Sequence, residues 1–184
     1  MNTPYWPNAD GDTSKVSLTV TDSDRRIAWL TALALSLHVI EAGLPSPIPG
    51  MEPGLANIIT VATLILIGLA GAAWVSLLRV IAGGLLLGTL FSPTFMLSFG
   101  GALARAGMLA LAVTISGGRW FGPVGYSVMA ALAHMAAQVG IAYVAFIPNP
   151  GLFYLLAALM TAALIFGIVN GIIAIQMLSF LHLH

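Results

Sequence analysis

The segment SLLRVIAGGLLLGTLFSP, Ser76 to Pro93, sets one arginine, Arg79, in a run made otherwise of leucine, isoleucine, valine and glycine. A guanidinium at the centre of a bilayer costs about 2.5–3.5 kcal/mol on insertion scales, so it must face a partner or a wet cavity. One turn further on come Gly83, Gly84 and Gly88. The Gly84/Gly88 spacing is of the GxxxG type, which lets a second helix approach closely. Ser92-Pro93 is expected to end the span. A charge held in lipid by close helix contacts predicts a binding site.

The composition around this segment agrees with a bilayer. Of 184 residues, 59% are hydrophobic and 7% charged, with a mean hydropathy of +1.01; soluble domains carry roughly a quarter charged residues. Seven of the twelve charged residues fall in the first 26 positions. That leaves Glu41, Glu52, Arg79, Arg105 and Arg119 for the rest of the chain. A net charge of zero lacks the basic footprint of nucleic-acid binding. With no cysteine there is neither a disulfide nor a thiolate metal site.

Residues 1–24 read as a polar tail, expected to be disordered and cytoplasmic, and residues 25–184 as one all-α membrane domain. Asp22, Ser23 or Asp24 is the expected cap of the first helix. Six apolar spans follow, each near the roughly 20 residues a bilayer requires. They cover about Arg26–Leu44, Leu55–Ala72, Ala73–Phe91, Thr94–Ile115, Val124–Ile147 and Leu152–Phe180. The proline-rich loop PSPIPGMEPG lies between the first two. With the N-terminus in the cytoplasm, Arg25, Arg26 and Arg119 all fall inside, as the positive-inside rule demands. Trp29, Trp74 and Trp120 then sit at the inner interface, and both termini are cytoplasmic. The expected location is the inner (plasma) membrane.

Polar residues within the spans mark the candidate site. Glu41 follows His38 at i, i+3, so the two share a face. Arg79 and Arg105 each lie about 10–15 Å from the inner end of their spans at 1.5 Å per residue. Ser98, Gly101 and Arg105 share one face of span 4, and Ser127, His134 and Gln138 one face of span 5. Asn57 opens span 2 and is placed near the outer surface; Asn170 interrupts span 6.

Each has a plainer reading. The arginines can pair with Glu41 or with backbone carbonyls, the histidines can be hydrogen-bonded structural groups, and Asn57 and Asn170 can be interhelical glue. Two arginines exceed the one glutamate within the spans, which leaves room for an anionic ligand. Catalysis finds little support. No carboxylate cluster in the spans is suited to Mg²⁺, and no P-loop, G-x-S-x-G or H-E-x-x-H signature occurs. No cofactor or metal is expected.

Three segments together resemble a known family: ALALSLHVIEAGLPSPIPGMEPGLANIITVATLILIG, LLRVIAGGLLLGTLFSPTFMLSFGGALA and VGYSVMAALAHMAAQ. They are similar to the Gx transporter family, also catalogued as heptaprenyl diphosphate synthase component I, over about residues 28–175. The resemblance implies a six-helix protein like the substrate-binding S components of energy-coupling-factor transporters, which work with a membrane coupling subunit and ATPases. In S components small residues on helix 1 contact the coupling subunit; Ala28, Ala32 and Ser36 match that spacing. The other family name implies a part in making the isoprenoid tail of a quinone. Without an aspartate-rich diphosphate motif, that role is an accessory one.

The sequence thus yields two expectations. In the first, the protein is a non-enzymatic subunit that captures a small, vitamin-like, anionic or amphipathic molecule for uptake. Glu41, Asn57, Arg79, Arg105, His134 and Gln138 line its cavity, under the PSPIPGMEPG loop as lid. In the second, it is a membrane accessory subunit of isoprenoid or quinone synthesis.

Overall fold

The computed structural model describes residues 20–43, 54–117 and 120–182. The tail through residue 19, most of the expected lid, Glu52 and Arg119 lie outside the described residues. The described residues form six α-helices: α1 (Asp22–Ala42), α2 (Ala56–Leu66), α3 (Leu69–Leu86), α4 (Pro93–Ser116), α5 (Pro123–Ile141) and α6 (Gly151–His182). A π-helical turn, Ala142–Phe146, extends α5. The described residues hold no strand. α3, α4, α5 with its extension, and α6 are each long and apolar enough to cross a membrane. The protein is an all-helical, multi-pass membrane protein.

α1 begins one residue before the expected caps. Thr21 is the N-cap, and its hydroxyl and backbone N–H form a reciprocal capping box with Asp24. The hydrogen bonds from the Thr21 side chain and backbone hold the Asp24 carboxyl below its ordinary range. Asp24 is thus part of the cap, but at the third helical position.

The expected boundary between spans 2 and 3 is wrong by several residues. α2 stops at Leu66, and Leu69–Ala72 belong to α3. The cause is Gly68, at φ 102° and ψ −176°, a conformation that essentially only glycine adopts. Gly68→Ala should cost about 1–3 kcal/mol through backbone strain alone, because no atom lies within 4 Å of the added methyl. Thermal unfolding in detergent, with Gly107→Ala as an unstrained control, measures it; equal melting of the two variants would refute the assignment.

With 11 residues α2 is about 16 Å long, half a bilayer. Its residues Ala56 through Leu64 are all buried. A helix apolar all round belongs in the middle of a bundle, and α2 packs against α1, α3, α5 and α6. Ile59 joins Ala34 and Val75 in one apolar cluster, and Ile58 and Val61 join Ala174 in another. A third cluster ties Leu64 to Ala72, Leu109, Tyr126 and Ala130.

Close contacts give the helix directions. Gly83 lies against His38, Gly84 against Phe95, Gly101 against His134 and Gly171 against Val124. α1, α3 and α5 therefore run one way and α4 and α6 the other. The expected Gly84/Gly88 seam is only half present. Gly88 lies beyond the end of α3 at φ 65°, and a Cβ added there would meet no atom within 4 Å, so it serves the turn and not the packing. Ser92, expected to end a span, instead caps the start of α4 with a hydrogen bond from the Phe95 N–H.

Candidate functional site

A bundle with a half-length central helix leaves space above that helix's first turn. Leu55 N–H donates to Glu41 Oε1 from α1. The Gly54 carbonyl accepts from Asn170 Nδ2 of α6 at 3.0 Å, and Asn57 Nδ2 donates to Ser127 Oγ of α5 at 3.2 Å. Asn57 is 2% exposed, so it does not open α2 near a surface as the span pattern suggested. α2 starts inside the bundle, beside the first turns of α5.

Over this start lies a cavity of about 140 Å³. α3 contributes Arg79 and Val80, and α4 contributes Thr94, Leu97, Ser98 and Arg105. His134, Met135 and Gln138 come from α5, and Ala163, Phe166 and Asn170 from α6. His38, Gly54 and Asn57 complete the wall. Both arginines are buried, at 4% exposure each. His134 lies within electrostatic reach of both guanidiniums. Its ring fits because residue 101 is glycine: a methyl there would meet the ring at 2.5 Å.

Five of the six expected lining residues meet here: Asn57, Arg79, Arg105, His134 and Gln138. The sixth, Glu41, is also buried but not in the cavity wall, and holds the backbone of Leu55 instead. His38 and Asn170, set down as structural from their sequence context, both line the cavity. Phe166 shares an i, i+4 face of α6 with Asn170, so the buried asparagine is the sequence signal that marks that face.

Electrostatics give the cavity its character. No Asp or Glu stands among the described residues of its wall. Among the described residues the buried charged groups are Glu41, Arg79 and Arg105, so with neutral histidines the buried set carries one net positive charge. A desolvated anion gains far more from such groups than it would in water.

A helical membrane protein built around a buried cationic cavity is the class these features define. Its family is shown by comparison with known proteins: the chain belongs to the heptaprenyl diphosphate synthase component I family, also called the Gx transporter family, whose model matches residues 30–177. No curated protein and no solved structure matched the chain.

Proposed function

We propose that the protein is a membrane-embedded substrate-binding subunit, similar to the S components of energy-coupling-factor transporters, that captures a small anionic or amphipathic molecule for uptake. One observation carries this reading: two arginines, each 4% exposed, stand in a cavity wall whose described residues include no carboxylate. Helices that merely pack do not need two desolvated cations around a space.

In this reading the protein does no chemistry of its own, and a coupling subunit with ATPases drives release. The face for that subunit is Ala28, Ala32 and Ser36 of α1, all exposed. The Ser36 hydroxyl donates to the Ala32 carbonyl of its own helix at 2.9 Å, which leaves the face small and without a polar demand. Both termini face the cytoplasm, with the exposed indoles of Trp29, Trp74 and Trp120 at the inner interface.

Native mass spectrometry of the detergent-purified chain tests the reading. The expected result is a co-purified molecule of defined mass that is lost from Arg79→Ala and Arg105→Ala proteins that still fold. Lipid alone, equally bound by parent and variants, would count against it. The family's printed description favours a second reading, an accessory subunit for heptaprenyl diphosphate synthesis. Prenyl-transferase activity that appears only when a soluble partner is added would support that one.

A further inference from the structure

We infer that the cavity takes a small organic monoanion: one carboxylate-like group, a compact apolar body about the size of a single ring, and a hydrogen-bond donor. The inference rests on the substrate-binding reading and narrows it.

Size is the first constraint. A cavity of about 140 Å³ is close to the roughly 150 Å³ that holds a benzene ring, and well below the roughly 300–1,000 Å³ of sites for drug-sized ligands. A flavin or a long prenyl chain does not fit this volume.

Charge is the second. Among the described residues, the buried charged set of Glu41, Arg79 and Arg105 sums to one positive charge. A monoanion brings it to zero, whereas a diphosphate would leave excess negative charge in a low-dielectric interior, where uncompensated charge is costly.

The wall supplies the third. The arginines come from α3 and α4, while α6 offers Ala162, Ala163 and Phe166, and α5 adds Ala131 and Met135. The ligand must therefore be charged on one side and apolar on the other. Asn57 sets a further demand. Its Nδ2 is used on Ser127, but its buried Oδ1 accepts no hydrogen bond among the described residues. A buried acceptor left unsatisfied is destabilising, and a hydroxyl or amine on the ligand satisfies it.

Titration of the purified full-length protein with benzoate, 4-hydroxybenzoate, inorganic phosphate, flavin mononucleotide and farnesyl diphosphate, read by calorimetry, tests this. The hydroxylated acid is expected to bind about fivefold or more tighter than benzoate, the worth of one hydrogen bond. Both acids should weaken about tenfold or more in Arg79→Gln or Arg105→Gln. Comparing the probes on the unaltered protein needs no variant, so a misfolded variant does not spoil the test. Arginine-dependent binding of flavin mononucleotide or farnesyl diphosphate in preference to the acids overturns the monoanion assignment and leaves the uptake reading standing. Phosphate binding as tight as that of benzoate also overturns it, since the apolar body would then contribute nothing. If no probe binds and no molecule co-purifies, both the assignment and the uptake reading fall.

Discussion

Gly171→Leu is expected to abolish stable folding. A Cβ at this position would lie 2.5 Å from the Val124 Cα and 3.2 Å from the Ser127 Cβ, where α6 crosses the first turn of α5. The nearest atom is backbone, so no rotamer change relieves the clash and the two helices must separate. Even alanine should cost about 1–3 kcal/mol, the usual range for overpacking, and leucine more. Gly167, one turn away, meets the Val128 Cα at 2.9 Å in the same way. A Cβ added at Gly140 on α5 would meet no atom of another element within 4 Å, so Gly140→Ala is the matched control. Fluorescence-detected size exclusion and melting in detergent should show aggregation for Gly171→Leu and a normal profile for Gly140→Ala. A Gly171→Leu protein that melts like the parent would mean α5 and α6 do not pack as described.

Glu41→Ala should be nearly as damaging, by another route. It deprives the Leu55 N–H of its acceptor and removes the one carboxylate among the described buried groups, so the buried set loses its negative charge. Losing one side of a buried charge arrangement costs about 3–5 kcal/mol. Glu41→Gln keeps a carbonyl oxygen for Leu55 while losing the charge, so its stability should fall between parent and alanine variant. Urea or thermal denaturation in detergent ranks the three. If alanine and glutamine are equally mild, Glu41 is not the anchor of this corner.

These two residues show what the sequence made legible. Gly167 and Gly171 stand at helical spacing in an apolar span, which marks a packing seam without naming the partner helix. Arg79 and Arg105 were conspicuous because charge in hydrocarbon demands an explanation, and five candidate residues on four helices meet around one cavity. Glu41 met the same criterion, yet its carboxylate is directed to the backbone of Leu55. Burial of a charge can be read from a sequence, but its direction depends on the tertiary contact. The short α2 escaped notice for a local reason. Hydropathy runs unbroken through Ile67, Gly68 and Leu69, and a glycine that turns the chain looks, in composition, like one that packs a helix. Likewise His38 reaches the cavity through a helix position that no single-helix pattern reveals.

The brevity of α2 has a consequence for how the protein is made. At about 16 Å it cannot satisfy the thickness of a bilayer on its own, and two of its polar anchors come from far later in the chain. Asn57 is tied to a residue 70 positions later in the chain, and Gly54 to one 116 positions later. When α2 leaves the ribosome, neither Ser127 nor Asn170 has yet been synthesised. α2 must therefore wait, with α3, until α5 and α6 have entered the membrane. Since Gly54 and Asn57 form part of the cavity wall, the last stage of biogenesis is also the one that completes the cavity.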